Sequence, residues 1–274
     1  MKRILFYSSV NSLELFKTQK FYQIDISILK DLGYDVLLSN RIFDSLLFWK
    51  YDILFSYFYR YSFFAALLAK CFGKKTYFTG GIDSLDSDYA SAFNYKIQAL
   101  FFKLCYWVAD SCIIVSQSDL KNIFKVSSLK KKLSYSEHVI NTKLFIADVP
   151  KEKIFTSIVW MGDEGNVVRK GVDKALQIFA ELKKIPEFVD YRFVIIGRKG
   201  EGEVLVRSII DKYNLKGSVE LKGEVSEEDK INLLKQSKYY FQLSLYEGFG
   251  LAALEALCAN NIIIHSGKGG LANP

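Results

Sequence analysis

The sequence predicts an α/β chain made of two similar halves, each a parallel sheet covered by helices on both faces. Three observations carry this expectation. Short apolar runs alternate with longer periodic ones along the whole chain, the pattern of repeated strand–helix–strand units. The short runs are continuously apolar, as strands buried on both faces require. The alternation breaks once, around Asn141–Lys153, where Pro150 stands among charged residues, and then restarts.

In the first half, Arg3–Tyr7 reads as a strand that ends in polar residues. Phe16–Leu32 has helical spacing and stops at Gly33, a C-cap signal. Asp35–Leu38 and Ile53–Ser56 read as strands, and Ser62–Phe72 as a helix ended by Gly73. Lys75–Phe78 is a fourth strand running into Gly80-Gly81. Asn94–Ala109 is a long apolar helix, Ser111–Ser116 a buried strand, and Ser118 and Asp119 cap the helix that follows.

The second half repeats the order. Strand Phe155–Trp160 leads through a loop to helix Val172–Lys184. Strand Arg192–Ile196 ends at Gly197 before helix Glu203–Tyr213. Strand Val219–Lys222 precedes helix Glu227–Gln236, and strand Tyr239–Leu243 precedes a helix starting near Gly248. Strand Ile262–His265 runs into Gly267–Gly270. The expected division is 1–148 and 149–274: two Rossmann-like domains facing a cleft, with ligands beyond the carboxyl ends of the strands. A complete doubly wound domain would carry a further strand and helix after Gly270, so the expected second domain is truncated or divergent at its C-terminus.

Composition narrows the function. The chain has 274 residues, half of them hydrophobic and 24% charged, enough for two domains with real cores. The formal net charge is +7, and nearly all of the surplus lies in the first 150 residues. That asymmetry fits an acidic partner there, such as a membrane surface, a phosphorylated substrate or a nucleic acid, and equally simple solubility. Cys71, Cys105, Cys112 and Cys258 lack C-x-x-C spacing and lie in apolar runs, as small buried hydrophobes of a reducing compartment do. Met1-Lys2-Arg3 and the apolar run after it are too short for a signal peptide. The stretch Leu46–Phe72 is rich in aromatics but broken by Lys50, Asp52, Arg60 and Lys70, so it cannot span a bilayer. It is either a buried strand and core helix or a surface that touches lipid.

The residues most able to carry chemistry run from Ser244 to Ala256: a strand end, Glu247, Gly248-Phe249-Gly250, then an Ala/Leu-rich helix containing Glu255. A helix start offers unpaired N–H groups and a positive dipole end, and the glycines let an anion approach the backbone, so a phosphate or diphosphate is the natural guest. Were both carboxylates helical, they would lie about 12 Å apart along the axis. Paired glycosidase carboxylates sit roughly 5–9.5 Å apart, so a hydrolase pair is disfavoured. Two acceptors so spaced suit an elongated polyol ligand with a diphosphate between its ends, the shape of a nucleotide sugar.

The pattern E-G-F-G-L-x-x-L-E, with Glu247 and Glu255 at its ends, resembles the signature of retaining glycosyltransferases of the GT-B fold, most closely family 4 (glycosyl transferases group 1). The resemblance extends through most of the second half. Arg169-Lys170-Gly171 resembles the family's R-K-G segment, Phe193–Gly197 its strand and glycine loop, Val219–Gly223 its V-x-x-x-G, and Gly269-Gly270 its late G-G. In the first half, Ile114–Ser118 is similar to its v-S-x-S helix entry, and His138–Asn141 faintly to its linker strand. The resemblance implies that Glu255 bonds the ribose and Glu247 holds the transferred sugar. Backbone N–H groups of Gly248, Phe249 and Gly250 would contact sugar or diphosphate, and Arg169 and Lys170 would neutralise the diphosphate. Gly197 and Arg198 would line the base pocket. Gly81 and Asp83 are candidates to face the reacting sugar, against a plain turn in which Asp83 caps a helix.

Three departures from the family pattern stand out. The family carries an Arg after the glycine that ends the first strand of its second domain, where this chain has Gly162-Asp163. No His occurs in residues 1–137, and the loop Ser8–Ser12 is poor in glycine. Gly197, Gly200 and Gly202 do not form G-x-G-x-x-G, which argues against a nicotinamide oxidoreductase. His138 and His265 lack ligand-spaced partners and are expected to be structural, and no metal site is evident. Lys130-Lys131-Lys132 is expected to be a solvated loop or helix end rather than a nucleic-acid contact.

The expected function is transfer of a hexose-type sugar from a nucleoside-diphosphate donor to an acceptor hydroxyl, with retention and without a metal or other cofactor, as in bacterial polysaccharide or glycolipid synthesis. The first domain would bind a saccharide or lipid-linked saccharide acceptor, with peripheral contact to the inner face of the cytoplasmic membrane and no nucleic-acid partner. The rivals are a non-catalytic relative that holds a nucleotide sugar or a partner, and a nucleotide-sugar epimerase.

Overall fold

A computed structural model describes residues 1–274 except Leu129, Ala147, Asn273 and Pro274. The chain divides into two compact units at Val139/Ile140, upstream of the expected 148/149 boundary. The reason is packing: Ile140 and Phe145 belong to a core cluster of the second unit with Leu234, Tyr240 and Ala256.

The first unit runs β1 (Arg3–Ser8), α1 (Leu15–Thr18), α2 (Lys20–Asp31), β2 (Asp35–Ser39), β3 (Ile53–Tyr57), α3 (Ser62–Cys71), β4 (Lys75–Thr79), α4 (Ala92–Val108), β5 (Ser111–Ile114), α5 (Gln117–Val126) and β6 (Leu133–Tyr135). Its strands form a parallel six-stranded sheet in the order β2-β1-β3-β4-β5-β6. Strand period assigns the faces. Ile4 and Phe6 pack with Phe16, Tyr22, Phe55 and Tyr57 on one side, while Leu5 and Tyr7 pack with Ala65, Phe102 and Ile123 on the other. The expected helix Phe16–Leu32 is two helices. Gln19 is extended between them (φ −87°, ψ 120°) and caps the second. The three-residue strand β6 was not expected from the sequence.

The second unit runs β7 (Glu152–Ile158), α6 (Glu164–Lys170), α7 (Val172–Leu182), β8 (Arg192–Ile196), α8 (Glu203–Lys212), β9 (Val219–Gly223), α9 (Glu227–Gln236), β10 (Ser237–Gln242), α10 (Leu251–Cys258) and β11 (Ile262–His265). Its parallel sheet has the order β11-β10-β7-β8-β9. Phe155, Phe193, Ile195 and Phe241 face the buried side of α7. Ile154, Val194 and Ile196 face the α9 side with Leu233. The strand order reverses between β7 and β10, so the carboxyl ends of those two strands are where an open α/β sheet presents its ligand crevice. Lys151 ties the α9 side together. Its ammonium donates to the carbonyls of Leu234, Lys235 and Ala259, at the ends of α9 and α10, and partial burial lowers its pKa.

Candidate active site in the second unit

The loop Leu243–Gly250 leaves the carboxyl end of β10 at that reversal. The helix after it starts at Leu251, not near Gly248: Gly250 takes a left-handed conformation (φ 89°) and is the N-cap. Glu247 therefore sits in the loop and Glu255 on α10, so the separation reckoned for two helical carboxylates does not apply.

Glu247 is the hub of the loop. Its Oε1 accepts from Lys170 Nζ at 2.5 Å, Gln242 Nε2 at 2.8 Å and Ser244 Oγ at 2.7 Å. Gln242 is itself fixed from behind. The Tyr240 hydroxyl donates to Gln242 Oε1 at 3.0 Å and accepts from the Ile158 N–H on β7. Burial, reinforced by the nearby Glu247 and Glu255 carboxylates, pushes the Tyr240 phenol well above its ordinary pKa, so it stays a donor. Tyr240 and Gln242 went unnoticed in the sequence. Their signal was there: two polar-tipped residues at strand spacing just before Glu247.

Lys170 reaches Glu247 because of where α6 ends. The segment before Val172 was expected to be a loop, but Glu164–Lys170 is helical, its start capped by Asp163 Oδ1 accepting from the Asn166 N–H at 2.6 Å. Asp163, standing where the family carries Arg, is thus the cap that builds this helix. Arg169 and Lys170 fill its last turn, and Arg169 donates to Asn166 Oδ1 at 2.8 Å. Gly171 turns the chain at φ 68°, and a Cβ there would lie 2.0 Å from the Leu243 carbonyl oxygen. The Leu245 N–H donates to the Arg169 carbonyl at 2.8 Å. Arg169-Lys170-Gly171 and the Glu247 loop are therefore one strapped assembly.

The late glycines close the loop from the other side. The Gly270 N–H donates to the Glu247 carbonyl at 2.6 Å. A Cβ on Gly269 would lie 2.1 Å from that carbonyl oxygen, and one on Gly270 2.6 Å from Phe249 Cα. Glu255 is buried. Its Oε2 accepts from Lys230 Nζ of α9 at 2.8 Å, and Lys230 also pairs with Glu227 at 3.0 Å. Lys230 was not singled out in the sequence.

Gly197 lies at the carboxyl end of β8. Its φ of 130° and a Cβ that would meet the Val159 carbonyl at 2.0 Å show that close packing of the β7 and β8 exits needs glycine there. Arg198 beside it is exposed, and its carbonyl accepts from the Met161 N–H at 2.9 Å. Gly81 and Asp83 belong to the first unit, after β4. Gly80, not Gly81, carries the left-handed backbone there (φ 104°), and Asp83 opens a short 3-10 turn, Asp83–Leu85.

The histidines have local partners. His138 Nδ1 lies 3.9 Å from Asp25 Oδ1, and the Tyr57 hydroxyl donates to Asp25 Oδ2. Burial lowers the pKa of His138 and raises that of Asp25. His265 Nδ1 accepts from the Gly267 N–H. Lys130-Lys131-Lys132 lies in the loop and turn before β6, and Lys132 Nζ donates to the carbonyls of Tyr106 and Trp107 at the end of α4. Cys105 and Cys112 are buried as expected, but Cys71 is exposed and Cys258 half-buried. Among the described residues, no group of three or more His, Cys, Asp and Glu is placed to hold a metal ion.

Comparison with known proteins matches residues 165–273 to the family "Glycosyl transferases group 1". Over 101 residues the chain is 36% identical to a GDP-mannose:cellobiosyl-diphosphopolyprenol alpha-mannosyltransferase of Xanthomonas oryzae pv. oryzae, covering 36% of this chain and 26% of that protein. Over 105 residues it is 30% identical to a component of the phosphatidylinositol N-acetylglucosaminyltransferase of Homo sapiens, covering 38% of this chain and 21% of that one. The matches thus span about a quarter of these relatives. Among solved structures, Anabaena HepE in complex with UDP and glucose superimposes with a TM-score of 0.73 at 12% identity, over 99% of this chain and 82% of that one. Sucrose-phosphate synthase from Thermosynechococcus elongatus gives 0.72 at 16% identity with the same coverage. These likenesses show the fold: the two parallel α/β units of the GT-B class.

Proposed function

We propose, from the match of residues 165–273 to the glycosyl transferases of group 1, that the chain transfers a hexose-type sugar from a nucleoside-diphosphate donor to an acceptor hydroxyl, with retention. The observation that carries the proposal is the strapped assembly around Glu247: one carboxylate, one lysine and a glycine loop held together at the carboxyl ends of β7 and β10.

Each part has a task. The Gly248–Gly250 loop and the N–H groups opening α10 receive the diphosphate. Arg169 and Lys170, at the end of α6, neutralise charge that grows on the departing nucleotide. Glu247, its Oε1 held by three donors, orients the sugar hydroxyls. Glu255, paired with Lys230, accepts from the ribose. In this scheme these cations and backbone amides stabilise the leaving group, without a metal or other cofactor. The anomeric carbon–phosphate oxygen bond breaks, the acceptor oxygen bonds to the same face of that carbon, and the leaving phosphate takes the acceptor proton. Rate then comes from orientation and charge stabilisation rather than from a protein nucleophile.

The activities of the relatives, mannosyl transfer to a diphosphopolyprenol-linked saccharide and N-acetylglucosaminyl transfer to phosphatidylinositol, support a lipid-linked saccharide or glycolipid as acceptor. We assign acceptor binding to the first unit, with Gly81 and Asp83 toward the reacting sugar and Gly197-Arg198 in the second unit toward the base. The test is donor turnover by the purified chain with UDP-, GDP-, ADP- and dTDP-sugars across an acceptor panel, with anomeric product analysis. Transfer with retention is expected, slowed by Glu247→Ala. Nucleotide binding without sugar release from any donor would instead favour a non-catalytic nucleotide-sugar-binding module.

A further inference from the structure

The outer faces of α3 and α4 use none of the residues assigned above. Helix α4 is a 17-residue helix with no acidic residue. The positions it turns outward recur at i, i+3, i+7, i+10 and i+14: Phe93, Lys96, Leu100, Lys103 and Trp107. Phe93 is 72% exposed, Leu100 57% and Trp107 68%. An outward face of a globular helix is ordinarily polar, so an apolar stripe threaded with lysines needs an explanation.

Helix α3 continues it. It also lacks acidic residues, and its outward positions include Phe64 and Cys71. Tyr61, just before α3, and Phe64 each lie 6.3 Å, ring centroid to centroid, from Phe101 of α4, so the two helices share one apolar surface. Phe72 extends it by stacking on Phe48 at 4.4 Å, with the exposed Trp49 edge-on to Phe48. Asp110, one of the acidic residues near this face, is paired with Lys70 and the Thr76 N–H. No helix among the described residues is long and apolar enough to cross a membrane. The arrangement is that of a surface that lies on a bilayer: aromatic and aliphatic tips for the headgroup boundary, lysines for anionic lipid. A second copy of the chain is a poor occupant, because the lysines of α4 would face like charges.

We propose that the α3–α4 face docks on an anionic lipid bilayer, with Phe93, Leu100 and Trp107 entering the headgroup boundary and Lys96 and Lys103 pairing with lipid phosphates. The proposal stands on this helix surface and not on the donor site, so the two fail separately.

The experiment is co-sedimentation of the full chain with vesicles of phosphatidylcholine alone or mixed with phosphatidylglycerol. It is paired with fluorescence of Trp107 in a Trp49→Phe/Trp160→Phe background. Expected results are preferential binding to the anionic vesicles, weakened by salt, and a blue shift of Trp107 emission. Lys96→Gln/Lys103→Gln should lower partitioning about thirtyfold, the equivalent of about 1 kcal/mol per basic residue at the surface. Leu100→Gln/Trp107→Gln should lower it at unchanged charge, while Lys212→Gln/Lys216→Gln in the second unit should leave it unchanged. Equal partitioning into neutral and anionic vesicles overturns the proposal, as does indifference to the α4 changes. So does a concentration-dependent dimer, formed without lipid, that the same α4 changes dissolve.

Discussion

The Lys170 ammonium lies 2.5 Å from Glu247 Oε1, joining the last turn of α6 to the loop after β10 across 77 residues of sequence. Both side chains are largely buried, 22% and 14% exposed. Removing one partner of such a pair leaves the other desolvated and unpaired, which is costlier than the pair is worth. Lys170→Met is therefore expected to destabilise the chain by about 2–3 kcal/mol in urea unfolding, somewhat below the cost for a fully buried pair. Lys170→Arg, which keeps the charge, should recover most of the stability but not the geometry. If Lys170→Met unfolds at the wild-type midpoint, the pair does not hold the loop.

Gly171 permits that pairing. Gly171→Ala adds a Cβ 2.0 Å from a backbone oxygen and strains a left-handed turn. Backbone strain of about 1–2 kcal/mol and overpacking of about 1–3 kcal/mol both apply. Gly33 supplies the control: its φ is +84° but nothing lies within 4 Å of an added Cβ, so Gly33→Ala should show the strain alone. Equal losses in the two variants would mean that the approach of Gly171 to Leu243 is not structural.

The thiols should separate by burial. Burial raises the pKa of Cys105 and pushes that of Cys112 up to about 12, leaving almost no thiolate at pH 8. Titration with a chromogenic disulfide should label the exposed Cys71 first and Cys258 more slowly, with Cys105 and Cys112 reacting only on unfolding. Early labelling of either buried thiol in the folded protein would contradict the packing of β5 against α4.

Asp110 should mark the acid limb of stability. Burial alone would raise its carboxyl, but the Thr76 N–H and the Lys70 ammonium outweigh that and hold it below the usual value of 3.8. A carboxylate with a depressed native pKa contributes stability above its unfolded pKa and loses it as pH falls through the native value. The gap between wild type and Asp110→Asn should be full at pH 6 and shrink progressively below about pH 4. A gap independent of pH would show that the ionised carboxylate is not the source.

Much of this architecture is legible in the sequence. The buried strands announce themselves as continuous apolar runs, and the loop from Ser244 to Ala256 carries its glycines and carboxylates in one contiguous stretch. What escapes is set by tertiary partners. Helix α6 opens with Glu164-Gly165 and has low intrinsic helix preference. It forms because Asp163 caps it and the Leu245 N–H binds the Arg169 carbonyl at its end. The unit boundary falls at Val139/Ile140 because Ile140 and Phe145 pack into the second core, which composition around Pro150 does not reveal. The apolar periodicity of Asn94–Ala109 reads as core, yet that helix has a second apolar stripe turned outward. Lys230 and Gln242 look like ordinary polar residues until their partners, Glu255 and Glu247, are placed beside them.

The most direct measurement is calorimetric titration of nucleoside diphosphates and their sugars into the wild-type chain and into Glu255→Ala and Glu247→Ala. One base should bind as diphosphate and as diphosphate sugar, Glu255→Ala should weaken both about equally, and Glu247→Ala should weaken only the advantage conferred by the sugar. Affinities that no member of the series shows, or that survive both substitutions unchanged, would remove the activated saccharide from this loop.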